Sequence, residues 1–257
     1  DAARSRWPWS GFPWGSVALP QVDSSLGRLA PYGGTTLITA VVVFLAVLVR
    51  RACAARDAAV VREHWFSRPA LALIVAAAFI APLAVTLPNQ AENGMLRVGV
   101  VQGDIALPGA EAYSREGEVT DNNVRASLEL ASSPELAQNP IDLAIWGEGS
   151  VDRDPVAFPA IGAAVDRASV ALDAPILIGY TNVNEHDRVK NWLAVWEKGQ
   201  GVDESARYSK HVPVPFGEFI PFRDFIASFA TEVAQSSRDM EAGDEPPLMT
   251  IEARDGR

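Results

Sequence analysis

The chain has few residues suited to redox or soft-metal chemistry. Among its 257 residues there is one cysteine, Cys53, and there are three histidines, His64, His186 and His211. One cysteine excludes a disulfide within the chain. No second Cys or His stands at the spacing of a zinc site, so no metal is expected. Positive charge is also short: 22 Lys and Arg face 32 Asp and Glu, a formal charge of −10. Such a chain lacks the basic footprint that nucleic-acid phosphates require, and a nucleic acid is excluded as a partner. The deficit is uneven. Residues 1–93 carry eight Arg and five Asp/Glu, a sum of +3, whereas residues 94–257 carry fourteen Lys/Arg and twenty-seven Asp/Glu, a sum of −13. The two parts are built for different surroundings.

Two long runs contain no charge at all. Residues 35–49 read TTLITAVVVFLAVLV and residues 69–87 read PALALIVAAAFIAPLAVTL. With residues 31–34 in front, the first is just long enough to cross a bilayer core, which takes about 20 apolar residues as a helix. Pro82 interrupts the second, an interruption that a membrane helix tolerates better than a soluble one. Both are internal, unlike a cleaved signal peptide. Between them lie Arg50, Arg51, Arg56, Arg62 and Arg68 against only Asp57 and Glu63. The excess of positive charge predicts a cytoplasmic loop with each span leading outward from it. The expected organisation is a membrane region over 1–93 and an extracytoplasmic domain over 94–257. The membrane region comprises an outer aromatic loop (1–33), a span (34–50), an Arg-rich cytoplasmic loop (50–68) and a second span (69–87). In the outer loop, Trp7, Trp9, Phe12 and Trp14 fit the aromatic belt of a membrane interface. The chain begins at Asp1 rather than Met and stops at EARDGR, and reads as a piece of a longer protein.

From Met95 the pattern changes. LRVGVVQGD (96–104), IDLAIWGEGS (141–150), PILIGYTNV (175–183) and NWLAVWEKG (191–199) are short apolar runs ending in turn residues, as expected of strands. Residues 118–131 and 156–171 have helical spacing, and LMTIEARDG (248–256) reads as one more strand. Strand alternating with helix predicts an α/β layered domain.

Glu148 stands at the carboxyl end of a predicted strand, where ligand and catalytic groups of α/β sheets gather. Beside Trp146 and two glycines its carboxylate is expected to be partly desolvated, with the raised pKa that suits a general base. A glutamate after a strand is also an ordinary loop residue or helix cap. Lys210 lies in RYSKHVPVPFGEFIPFR (207–223), framed by Pro213, Pro215 and Pro221 with Phe216, Phe219 and Phe222 interleaved. Proline fixes φ and lowers the entropy lost on ordering a loop. A loop of that kind can hold an ammonium where negative charge develops on an oxygen. Glu218 either fixes Lys210 by a salt bridge or acts on its own.

VGVVQGD, DLAIWGE and YSKHVPVPFGEFIP, in that order after the predicted spans, resemble the apolipoprotein N-acyltransferase family, membrane-embedded members of the nitrilase (carbon–nitrogen hydrolase) superfamily. The resemblance extends forward over RWPWSGFPWGSVALPQVDSSLGRLAPYGG, and so runs from about residue 4 to the end. Its specific part is the string Y-x-K-x-x-x-V-P-F-G-E at 208–218. It implies a nitrilase-like α-β-β-α sandwich preceded by transmembrane helices, with a Glu–Lys–Cys triad. In that triad Glu148 is the general base and Lys210 stabilises the oxyanion, and Glu218 supports the site. Where the family has Pro before the triad Glu, this chain has Gly147, which loosens the turn but leaves the carboxylate in register. The family's Cys follows a later strand, and LMTIEARDGR looks like the start of that region. Cys53 does not match it, so the fragment is expected to be inactive and the full-length protein active.

The resemblance also implies the reaction. A cysteine thiolate takes a fatty acyl chain from a membrane phospholipid, and the α-amino group of a lipoprotein's N-terminal diacylglyceryl-cysteine receives it from the thioacyl-enzyme. No cofactor is implied. The partners are a phospholipid donor, a diacylglyceryl apolipoprotein acceptor and the cell membrane, and the phenylalanines of the loop are expected to face lipid. The competing readings are a membrane-tethered amidase with the same triad, and a non-catalytic membrane scaffold with a degenerate nitrilase domain. A Cys in the residues that follow 257 separates the enzymes from the scaffold.

Overall fold

The computed structural model describes residues 3–8, 11, 14–54, 68–87, 94–104, 117–228, 238–244 and 249–251. The chain divides into two compact units, Asp1–Glu92 and Asn93–Arg257.

In the first unit, two short 3-10 turns lead into helix α1 (Ala30–Ala54). Gly33 and Gly34 break it near its start, with Gly34 in the left-handed region at φ 58°. At 1.5 Å per residue the remainder is about 30 Å long, the thickness of a bilayer core. Ser25–Arg51 forms a helical run of 27 residues that is long and apolar enough to cross a membrane. Val43, Phe44 and Val47 are exposed along it, an apolar face that lipid would cover and water would not favour. Helix α2 (Arg68–Ile80) passes into a 3-10 turn at Ala81–Ala84, and Pro82 marks the change. Proline removes a donor and crowds the preceding turn, which ends the α-geometry there. The apolar helix Ala72–Ala84 is therefore shorter than a full span. Among the described residues only the first of the two expected spans reaches spanning length. The Arg-rich loop between them, and Trp9 and Phe12 of the aromatic cluster, lie largely or wholly outside the described residues.

The second unit is built on a five-stranded sheet in the order β1-β2-β3-β4-β5. Strands β1 (Val98–Val101), β2 (Leu143–Trp146) and β3 (Ile176–Val183) run parallel, and β4 (Val189–Glu197) and β5 (Gly201–Ser209) continue antiparallel. Helices α3 (Glu118–Ala131), α4 (Pro134–Gln138) and α5 (Pro159–Leu172) supply the crossovers between the parallel strands. Parallel strands need such connections, which leave at least one sheet face covered by helices. The core lies on that face. Val124 of α3 and Val165 and Ala168 of α5 pack with Trp146, Ile176, Ile178 and Tyr180 of the sheet. The Trp146 indole is 1% exposed, and its Nε1–H donates to Ser127 Oγ at 3.1 Å.

The opposite face buries less, with Leu177, Val195 and Ala206 under Met249 and Ile251. Val100, on that face of β1, is 76% exposed. The architecture is thus mixed α/β with one sheet and helices on one face. A second sheet and an opposing helical layer are not among the described residues. Residues 249–251 form no strand, and the rest of the strand expected at 248–256 lies outside the described residues. β5, within a stretch not read as a strand, closes a hairpin through Gly199 (φ 72°) and Gly201 (φ 90°). A short helix α6 (Arg223–Ala227) follows the proline-framed loop.

Candidate functional site

Glu148 sits on a turn held from three sides. β2 delivers the chain at Trp146, and Gly149 takes φ 65°. Ser150 Oγ accepts from Gly179 N–H at 3.1 Å, Val151 N–H donates to Gly179 O at 2.9 Å, and Asn123 Nδ2 donates to Ser150 O at 3.1 Å. The turn presses directly on β3. A Cβ at Gly179 would lie 2.8 Å from Gly147 O and 3.0 Å from both Glu148 Cα and Gly149 N. All three are backbone atoms, so Gly179→Ala must displace the turn. A loss of about 1–3 kcal/mol is expected, read from the denaturant midpoint. At Gly147, by contrast, a Cβ meets nothing within 4 Å, so the turn has room for one there.

Lys210 is the first residue past β5. Its N–H donates to Asn191 O of β4 at 2.9 Å, and its carbonyl accepts from Gly243 N–H at 2.9 Å. Gly243 has no room for a side chain: a Cβ there would fall 1.9 Å from Ser209 Oγ. The following loop turns back on itself. Glu218 N–H donates to Val214 O at 2.8 Å and Phe216 N–H to Phe219 O at 2.7 Å, with Phe216 forced to φ 63°. Pro213 and Pro221 are buried. Asp239 fastens the far side, accepting from Ile220 N–H at 3.0 Å and from Arg223 Nε at 2.9 Å. The Arg223 hydrogen bond is the main reason the Asp239 carboxyl is held below its usual range. Phe216, Phe222 and Phe225 are exposed.

The structure brings all three expected site residues together. Lys210 Nζ donates to Glu148 Oε1 at 3.1 Å and to Glu218 Oε1 at 2.7 Å. Glu218 makes the salt bridge to Lys210, one of the two possibilities for it. Its Oε1 holds the ammonium while its Oε2 accepts from Val214 N–H at 2.7 Å, tying Lys210 to its own loop. An ammonium has three protons; two are engaged here, and one has no partner among the described residues.

The electrostatics differ from expectation at Glu148. Its side chain is 63% exposed, and its carboxyl is held below the ordinary value of 4.5. The Lys210 hydrogen bond is the largest cause, and it outweighs the upward push of burial. The expected desolvated carboxylate with a raised pKa is therefore replaced by an ionised one in an ion pair. For Lys210, burial is the largest influence and pulls its pKa down. Hydrogen bonds to Glu218 and Glu148, with their charges, together overcome it and leave the ammonium above 10.5. Both groups are charged at neutral pH.

Beside the pair is an open cavity of about 170 Å³, lined by Glu148, Lys210, Asn191, Gly179, Trp192, Leu193 and Tyr208. Asn191, which sequence reading passed over inside a strand, enters the site by donating from Nδ2 to Glu148 Oε1 at 2.6 Å. The available signal was a lone polar residue at the start of the apolar run NWLAVW. Cys53 is exposed on α1, in the other unit. The site offers a fixed anion, a fixed cation and a small apolar-walled recess, an arrangement suited to proton removal at one point and oxyanion stabilisation at the next.

Residues 1–48 match the family model described as the apolipoprotein N-acyltransferase N-terminal domain. The chain is 31% identical over 232 residues to the apolipoprotein N-acyltransferase of Mycolicibacterium smegmatis, covering 80% of this chain and 37% of the relative. It is 26% identical over 236 residues to that of Vibrio parahaemolyticus, covering 87% and 42%. With that of Pseudomonas aeruginosa it shares 27% over 230 residues, covering 86% and 40%. The chain thus spans about two fifths of the length of the curated relatives it matches.

Proposed function

We propose, for a chain that belongs to the apolipoprotein N-acyltransferase family, that the complete protein is a membrane acyltransferase. It moves a fatty acyl chain from a phospholipid to the N-terminal diacylglyceryl-cysteine of apolipoproteins. The observation that carries this reading is the meeting of Glu148 and Lys210 at one cavity, with Glu218 holding Lys210 from behind, from segments up to 70 residues apart in the sequence.

The Glu148 carboxylate takes the proton of a cysteine thiol contributed by the rest of the protein. The thiolate adds to the phospholipid ester carbonyl, and the resulting oxyanion receives the unengaged N–H of Lys210. Collapse breaks the C–O bond; Glu148 returns its proton to the departing alkoxide, and a lysophospholipid leaves. In the second half the lipoprotein's amine adds to the thioester and Glu148 takes a proton from the nitrogen. The sulfur leaves as thiolate, and an amide remains. Splitting the transfer in this way replaces one difficult step by two easier ones. Glu218 takes no proton; it keeps Lys210 in place. A cavity of about 170 Å³ is below the about 300–1,000 Å³ of sites that enclose a whole ligand. It admits the reacting ester while the acyl chains extend beyond it. The extracytoplasmic, multi-pass placement and the full nitrilase-like sandwich belong to the same proposal. The Arg-rich loop and the apolar helix Ser25–Arg51 support the membrane placement, and the five-stranded mixed sheet with helices on one face is consistent with half of such a sandwich.

The test is the full-length protein in phospholipid vesicles with an acyl-labelled phospholipid and a diacylglyceryl-cysteinyl peptide. Expected are label in an amide at the peptide N-terminus and parallel double-reciprocal lines, the kinetic mark of a covalent acyl-enzyme. Ammonia release from carboxamides without acyl transfer would assign the site to an amidase instead. No turnover of either substrate would leave a scaffold.

A further inference from the structure

The two oxygens of Glu148 are not equivalent. Oε1 accepts from Lys210 Nζ at 3.1 Å and from Asn191 Nδ2 at 2.6 Å. Among the described residues no group donates to Oε2. Asn191 touches both halves of the charged pair: its side chain holds Glu148, and its backbone carbonyl accepts from Lys210 N–H at 2.9 Å. It lies on β4 opposite Thr181 of β3, next to the β3 segment on which the Glu148 turn rests. One residue on a sheet strand therefore sets where the carboxylate and the ammonium stand relative to each other.

We propose that Asn191 is a positioning residue that divides the Glu148 carboxylate by task, binding Oε1 into the scaffold and leaving Oε2 as the atom that takes the proton. This rests on the reading of Glu148 as the general base. A carboxylate free to rotate about its terminal torsion would present either oxygen, and would let Lys210 slide between them. With two donors on Oε1 the torsion is fixed, and the unengaged lone pairs of Oε2 face a single position. The proton transfer is simple: the S–H bond breaks, an O–H bond forms at Oε2, and the electron pair stays on sulfur. When the proton is later passed to the leaving alkoxide, the same oxygen gives it up, so Oε1 and its donors need not move during turnover.

The hydrogen bond also has an electrostatic consequence. Asn191 is one of the groups holding the Glu148 carboxyl down, after Lys210. The groups facing Glu148 are Lys210 beyond β5, Asn191 on β4, Glu218 through Lys210, and Tyr208 of β5 on the cavity wall. Removing the Asn191 donor leaves fewer groups favouring the ionised form, so the carboxyl rises. The acid limb of kcat/KM then moves to higher pH.

The experiment uses the full-length protein with Asn191→Ala and the isosteric Asn191→Asp, folding being checked by thermal melting and Glu148→Gln measured in parallel. Both Asn191 variants are expected to lose about 10- to 100-fold in kcat, the worth of a hydrogen bond to a charged group. KM for the phospholipid should change little, and the acid limb should shift upward, further in Asn191→Asp because a second carboxylate repels the first. A rate loss with an unmoved acid limb would reduce Asn191 to a structural residue and overturn the proposal, as would unchanged kinetics. If Glu148→Gln itself keeps full activity, the general-base reading fails and this inference with it. An inactive Glu148→Gln beside unaffected Asn191 variants refutes the inference alone.

Discussion

Replacing Lys210 with methionine is expected to lower kcat/KM for acyl transfer about 100- to 1,000-fold, the usual effect of removing one preorganised oxyanion donor. Methionine keeps the length and apolar stem of the side chain and removes only the charge and its donors. Two things then change together. The unengaged N–H that would meet the oxyanion is gone. Glu148 and Glu218, which point their Oε1 atoms at the same ammonium from 3.1 and 2.7 Å, are left facing each other with like charge. Removing the largest influence that holds the Glu148 carboxyl down lets it rise, so the acid limb of the rate profile should also move up. The pair carries a pH signature in stability. Glu148 is depressed, so its contribution is present above about 4.5 and is lost as pH falls through the folded value. Lys210 is raised, so its contribution is present below 10.5 and is lost as pH rises through the folded value. The pair's contribution should form a plateau between those limits and be missing in Lys210→Met, whereas the alkaline loss that comes from the buried Tyr180 phenol, pushed up to about 12, should remain. Equal rates in variant and wild type, with both folded, would remove Lys210 from the chemistry.

The second large effect is at Glu148. Glu148→Gln keeps an oxygen that can accept from Lys210 and Asn191, so the turn is expected to hold its place, while the ability to take a proton is lost. The expected decrease in kcat is about 10²- to 10⁴-fold, the range of a positioned general base. The pH dependence separates this role from a structural one. Without the base the nucleophile depends on its own ionisation, so the residual rate should climb as pH rises toward about 8.5, the ordinary pKa of a thiol. A variant that is slow at every pH by the same factor would point to a displaced turn instead.

Much of the scaffold was legible because the physics behind it is local. The apolar runs ending at Gly99–Val101, Trp146 and Val183 are β-rich stretches closed by turn residues, and they became β1, β2 and β3. The helical spacing over 118–131 and over 156–171 announced α3 and α5, the second of which starts at Pro159. Glu148 could be found because a strand ended beside it, and Lys210 and Glu218 because prolines crowd around them; Lys210 is also one of only three lysines in the chain. What escaped was set by tertiary pairing. β5 is a polar edge strand with few buried side chains, so its alternation is faint. The antiparallel continuation of a parallel sheet depends on a hairpin turn rather than on strand composition. The direction of the Glu148 shift could not be read because it depends on the distance to an ammonium 62 residues away in the sequence. Asn191 carries only a faint signal for the same reason: an asparagine at the start of an apolar strand gains its meaning from what the neighbouring turn places opposite it. The second uncharged run forms a shorter α-helix than its length suggests, because at Pro82 the α-geometry gives way to a 3-10 turn.

Rapid-quench acylation of the full-length protein by a labelled phospholipid, with no acceptor present, isolates the first half-reaction on which the site rests. Wild type should accumulate one hydroxylamine-labile acyl group per molecule, whereas folded Glu148→Gln and Lys210→Met should acylate at least about 100-fold more slowly. Acylation of both variants at the wild-type rate would contradict a role for the Glu148–Lys210 pair in forming the acyl-enzyme.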